Sequence, residues 1–275
     1  MSYESDLEDF EKTWKTALGV WHPGEGVTLR GRDLFSNATL KNSGWMGQIL
    51  FSITGRDFSE DQINLFEEMW RISTSYPDPR IWNNQVAALA GTARSTPYLG
   101  IGAAIAVSQA EIYGGRPFVR CMDFLLRAKK KLNGNFDLLH EIIDTELNET
   151  KEIYGNSRIY GFGRPLVTRD ERIAPMKELI AGYSKDSYLN LAFKIEEIVR
   201  CKPYELTMNV AAIFSAVAAD QNLTVRQSST FSTLCFSAGF LACYQDAMEH
   251  PEDALFPIRC ESIKCTTPVL GNKNW

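Results

Sequence analysis

At 275 residues, 44% hydrophobic and 23% charged, the chain has the length of one large domain and an ordinary globular composition, which excludes a disordered tail or a disulfide-built miniprotein. Lys+Arg 29 against Asp+Glu 34 leaves a net charge of −5, so the positive footprint that neutralises many phosphates is missing and nucleic acid is not an expected partner. No apolar run approaches the ~18–20 residues that span a bilayer, and the acidic stretch 1–15 does not read as a signal peptide, so no membrane partner and a cytoplasmic location are expected.

In chain order, Leu7, Phe10, Trp14 and Leu18 recur every three or four residues, one face of an amphipathic helix over 3–18. Ser59 followed by Gln62 is a capping box, and Ile63, Phe66 and Trp70 then set the stripe of a second helix. The spacing predicts further helices at 83–91, 98–112, 118–132, 137–149, 175–182, 187–200, 205–219 and 225–248. No series of alternating strands is evident, so an all-α architecture follows, in which helices bury one another's stripes without a sheet. Glycine and proline together specify loops at Tyr76-Pro77-Asp78-Pro79, at 113–117 and at 160–165. Lys129, Lys130 and Lys131 end a helix where positive charge complements the C-terminal dipole. The stretch 251–275 has little periodicity and is expected to wrap the surface or a partner subunit.

The six cysteines, Cys121, Cys201, Cys235, Cys243, Cys260 and Cys265, contain no C-x-x-C pair, which favours core thiols over a metal or redox site. His22, His140 and His250 are the only histidines, too scattered for a His-rich cluster, so no metal is expected.

Three stretches carry a family likeness: 83–117, ending in Tyr113-Gly114-Gly115-Arg116-Pro117; 159–179, with Gly161-Phe162-Gly163-Arg164 and Arg169-Asp170-Glu171-Arg172; and 192–217, with Asn209-Val210-Ala211. In order and spacing they resemble the citrate synthase superfamily, above all its short form, the citryl-CoA lyase module that ends ATP citrate lyase. The segment 231–246 continues the likeness, and 29–31 and 44–66 extend it more weakly. The resemblance implies a citrate synthase-like multi-helix fold in one unit over 1–275, a large helical domain with a smaller lobe near 118–200, homodimerisation or a higher homo-oligomer, and chemistry that joins or splits a carbon–carbon bond beside a coenzyme A thioester. In that chemistry a base removes a proton alpha to the thioester, donors hold the enolate oxygen, and arginines clamp carboxylates.

The chain departs from the pattern where the chemistry is done. Where the family reads G-x-G-H stands Arg164, a permanent cation in place of an imidazole; where it reads Asn-Val-Asp stands Ala211, so the usual base is gone. Tyr113 precedes the Gly-Gly turn in place of a histidine, Phe236 stands for a helix arginine, and the upstream Asp-His is replaced by Tyr76-Pro77-Asp78-Pro79-Arg80. Arg164, Asp78, Tyr113 and Arg80 are therefore expected to form a rewired catalytic, anion-binding set, with Asn209 and Arg116 against the substrate. Gly161, Phe162, Gly163, Arg169 and Arg172 match the part of the pattern that holds coenzyme A or an acyl-CoA, through main-chain groups and arginine–phosphate contacts. Alternatively the glycines and Asp170 only shape a turn, and Asp170 with Arg172 is a surface ion pair. Two functions stay open: a divergent enzyme acting on an acyl thioester or polycarboxylate, and a catalytically silent homologue that binds a metabolite or pairs with an active partner. Ala87, Ala88, Ala90, Gly91, Gly102 and Ala103 allow close helix packing, either between subunits or within one.

Overall fold

The structure is a computed structural model and describes residues 16–36, 44–74, 76–164, 169–182 and 187–252. The helix expected over 3–18 lies outside these residues up to 15, and at 16–18 the chain is not helical; the stretch from 253 onward also lies outside them.

The first described elements are strands, against the expectation of none: β1 (Gly19–His22), β2 (Gly26–Leu29) and β3 (Arg32–Asp33) form an antiparallel meander. These strands are two to four residues long, too short to leave an alternating signature. Gly19 is required by the pairing, because a Cβ there would lie 2.0 Å from the Thr28 carbonyl oxygen. Helix α1 (Gly44–Thr54), which buries Met46, Leu50 and Phe51, was not among the expected helices.

The remaining chain is helical, as the apolar spacing predicts. Helix α2 (Glu60–Ser73) starts with the expected capping box, Ser59 and Gln62 exchanging side-chain and backbone hydrogen bonds, and buries Leu65, Phe66 and Met69. Next come α3 (Trp82–Thr92), α4 (Pro97–Val107), α5 (Arg116–Leu132), a 3-10 turn (Phe136–Leu138) and α6 (Leu139–Tyr154). Lys129, Lys130 and Lys131 do occupy the last turn of α5. The C-terminal half holds α7 (Ile173–Leu179), α8 (Tyr188–Val199), α9 (Val210–Asp220), α10 (Val225–Ser232) and α11 (Ser237–Glu249).

Three boundaries differ for stated reasons. Helix α4 stops near 107 instead of 112: the Ser108 hydroxyl turns back to the Ala104 carbonyl and receives the Asn83 amide, while the Ser108 carbonyl takes the Gly115 N–H. The helix expected from 205 begins at Val210, because 207–209 instead pairs with the loop at 161–163. The helix expected over 225–248 breaks at 233–236, where the Leu234 carbonyl accepts the Trp70 indole N–H at 2.8 Å and the Ser237 hydroxyl at 2.7 Å.

Helix α9 is apolar all round and buried from Val210 to Ala219, so it is the central post, with α5, α8 and α7 against it. Its one interior hydroxyl, Ser215, donates to the Phe118 carbonyl of α5 at 2.8 Å, and Phe214 packs with Phe118 and Phe231. Each such ring contributes about 1.5–3 kcal/mol by leaving water. Cys121, Cys235 and Cys243 are buried free thiols as expected, whereas Cys201 is exposed. Among the described residues no helix is long and apolar enough to cross a membrane.

Candidate functional site

The loop 159–164 is folded by its glycines. Gly161 (φ 93°) and Gly163 (φ 80°) take left-handed backbone, and a Cβ on Gly161 would lie 2.5 Å from the Cys121 sulfur and 3.1 Å from Ala212. The loop is thereby pressed between the N-terminal halves of α5 and α9. Phe162 is buried and bridges Met208; the Phe162 N–H goes to the Ile159 carbonyl, and the Gly163 N–H goes to the Thr207 carbonyl at 2.6 Å. Asn209 caps α9 with its carbonyl oxygen on the Ala211 N–H (3.0 Å), and its amide donates to the Gly163 carbonyl (2.9 Å).

Behind the loop lies an ionic core. Asp170 has a fully buried side chain that takes Arg172 at two points (2.8 and 2.9 Å) and the Val210 N–H at the start of α9 (2.9 Å). Burial pushes this carboxyl up, but Arg172 and the N–H groups more than offset it, and the net shift is downward. Arg164, with a side chain 11% exposed, binds Glu171 at 2.8 Å, the Arg169 carbonyl at 3.2 Å and stands 3.9 Å from Asp170. The other oxygen of Glu171 accepts the Tyr76 phenol at 2.6 Å. That hydrogen bond, with Arg164, holds Glu171 below the usual carboxylate range. Burial and the same bond push Tyr76 up to about 12.

A cleft of about 570 Å³ between α5 and α6 is lined by Arg116, Arg120, Tyr154 and Tyr160, a size that suits a small ligand, and Glu111 holds three of these side chains together. Glu111 accepts Arg116 at 2.5 Å, Arg120 at 3.0 Å and the Tyr160 phenol at 3.2 Å. Arg120 also reaches the Tyr154 hydroxyl and lies over the Tyr154 and Tyr160 rings. Burial works against the Glu111 anion, but Arg116 and Arg120 prevail and its carboxyl is held low. Because Tyr160 belongs to the glycine loop, this bond ties the 108–115 turn to it.

The geometry places the residues expected at the site as follows. Among the described residues no hydrogen bond or ion pair joins Arg164 to Asp78, Tyr113 or Arg80. Asp78 closes on Arg80 within its own turn, which pulls the carboxyl down to about 2, and Arg80 is 89% exposed. Tyr113 takes a left-handed backbone (φ 52°), and its ring packs edge-on against Trp82 at 5.6 Å. Arg172, expected at phosphate, is committed to Asp170, and that pair is buried rather than on the surface. The N–H groups of Phe162 and Gly163, expected to meet a coenzyme, are used within the chain. Asn209, expected to touch substrate, has both ends of its amide occupied as a cap. Arg169 remains exposed and Arg116 lines the cleft. Tyr76, Glu171, Glu111 and Arg120 were not singled out in the sequence; the pairing of 76 with 171 spans separate segments and leaves no local signal. Among the described residues no three His, Cys, Asp or Glu side chains come together as a metal-holding group.

No sequence-family model matches the chain and no curated protein does. Solved structures do. Citryl-CoA lyase from Hydrogenobacter thermophilus superposes with a TM-score of 0.76 at 17% identity, over 95% of this chain and 97% of that one. The chain shares the helical fold of this enzyme. ATP citrate lyase from Methanothrix soehngenii, solved with citrate and coenzyme A, gives 0.75 at 16% identity over 98% of this chain, which spans 44% of that enzyme's length. Citrate synthase from Thermotoga maritima gives 0.58 at 18% identity, over 82% of this chain and 57% of that one.

Proposed function

We propose that the protein binds an anionic metabolite, a polycarboxylate or an acyl-CoA thioester, at the Arg164 loop and does not carry out the proton abstraction of citrate-type chemistry. The observation that carries this reading is the pairing of the carboxylates beside Arg164 and in the Tyr76 turn: Asp170 with Arg172, Glu171 with Arg164 and Tyr76, Asp78 with Arg80. A carboxylate held at about 2, as Asp78 is, is a feeble base at neutral pH, and a phenol at about 12, as Tyr76 is, keeps its proton. Ala211, where a base would stand, is buried and apolar. Arg164 remains a suitable carboxylate receptor because a guanidinium keeps its charge in a shielded place. Arg116 in the cleft and exposed Arg169 are the further cations for a phosphate or second carboxylate. Ligands of these classes sit in structural neighbours: one ATP citrate lyase was solved with citrate and coenzyme A and another with (3S)-citryl-CoA.

The second reading is a rewired enzyme in which Arg164 stabilises an enolate, and the polar character of Arg164, Tyr76 and Glu171 favours it. Thermal unfolding with citrate, oxaloacetate, coenzyme A and acetyl-CoA tests the first reading. A rise in melting temperature that disappears in Arg164→Ala is expected; no rise with any of the four overturns it.

Homodimerisation belongs to the same proposal. Helix α4 is apolar on all sides, yet Tyr98 is 90% and Leu99 70% exposed, with Gly102, Ala103 and Ile105 beside them. A second copy packed on this helix would bury that face. The free buried thiols fit a reducing cytoplasmic setting.

A further inference from the structure

Glu171 occupies the position of a ligand. Its two carboxylate oxygens are received by groups from separate segments, the Tyr76 phenol at 2.6 Å and the Arg164 guanidinium at 2.8 Å. A planar anion gripped at each oxygen by a phenol and a guanidinium is how a protein reads a foreign carboxylate.

Receiver and occupant differ in how firmly they are held. The Arg164 side chain is 11% exposed and anchored by the Arg169 carbonyl. Tyr76 lies on a turn whose carbonyl accepts the Asn84 amide, and its ring faces the Arg172 guanidinium at 5.8 Å. Arg172 is itself fixed on Asp170. Glu171 is 60% exposed, on the turn just before α7. Its flexible side chain can move into water at little cost, whereas Arg164 is shielded and anchored beside the ionic core and Tyr76, 38% exposed, rests on the Arg172 guanidinium.

We propose that Glu171 is a built-in carboxylate plug: it fills the Arg164–Tyr76 receptor in the empty protein and gives way to a carboxylate of the incoming ligand. This rests on the binding reading above and adds Tyr76 as the second half of the receptor. The apparent affinity is then the intrinsic affinity divided by the competition from Glu171, so removing the plug tightens binding.

Isothermal titration of citrate, as a polycarboxylate probe, separates the possibilities. Glu171→Ala is expected to tighten citrate about tenfold over wild type, the gain of one charge-assisted contact pair. Glu171→Gln, which keeps the shape and drops the charge, is expected to tighten it less, and serves if the alanine variant does not fold. Tyr76→Phe is expected to weaken citrate in the Glu171→Gln background, and Arg164→Ala to abolish binding. If wild type binds citrate through Arg164 and neither Glu171 variant binds more tightly, the plug is refuted and the binding reading stands. If no variant shows Arg164-dependent binding, the binding reading falls and the plug with it.

Discussion

Arg164 and Arg172 both reach toward Asp170, and the difference in distance, 3.9 against 2.8 Å, assigns them different work. Arg172 closes the buried pair, so Asp170→Asn would leave a guanidinium uncompensated inside the protein. A loss of about 3–5 kcal/mol is expected, read by urea unfolding. The sign of the acid response follows from the same group. Asp170 and Glu171 are both held below their ordinary values, so their stabilisation is complete above the unfolded values of about 3.9 and 4.3 and is lost as pH falls through the lower folded ones. Asp220, pushed up by burial, works in the opposite direction. Stability measured between pH 6 and 2.5 should therefore fall below about pH 4, and Asp170→Asn should flatten that limb. Gly161 is a backbone requirement rather than a chemical one: Gly161→Ala combines a left-handed φ with a contact 2.5 Å from the Cys121 sulfur. A loss of about 2–4 kcal/mol in the same assay is expected, and a neutral effect would mean the loop does not sit this tightly.

At the scale of elements, legibility followed where the information resides. Helices with an apolar stripe and a cap, such as α2 with Ser59 and Gln62 or α5 with its terminal lysines, were readable because both signals are local. The break between α10 and α11 was not, because it is fixed by the Trp70 indole of a distant helix holding the Leu234 carbonyl. The site divides the same way. Arg164 and its two glycines stand out by the family resemblance, while Glu171 lies inside the Arg169–Arg172 run and its phenol partner Tyr76 in a proline loop. Only folding brings 76 to 171. Trp70→Phe is expected to cost about 1 kcal/mol through the lost indole hydrogen bond to the Leu234 carbonyl, which keeps the Ser237 hydroxyl, measured by thermal unfolding, without altering citrate affinity.

Over the whole molecule, the small residues of the second quarter serve two ends. Ala88 and Gly91 are buried against α11, where a Cβ on Gly91 would lie 2.6 Å from the Tyr244 carbonyl, and Ala87 is buried in the main core, so that part of the small-residue face packs within the subunit. Gly102 and Ala103 remain exposed with Tyr98 and Leu99 on α4. Sedimentation equilibrium is expected to give a dimer that Leu99→Glu converts to a monomer; a wild-type monomer contradicts the dimer. The core joins residues from Met46 to Tyr244 in one cluster, so ligand binding at the loop that rests on α9 should raise the melting temperature of the whole unit.

On the proposed reading the Arg164 loop holds an anion, and none of the described residues beside it removes a proton. Proton NMR of acetyl-CoA with citrate in deuterium oxide reads both properties together. Saturation transfer from protein to ligand, with the acetyl methyl signal unchanged beyond the protein-free rate, is the predicted result. A methyl signal that decays by deuterium exchange, and ceases to decay in Arg164→Ala, would contradict it, as would the absence of any transfer.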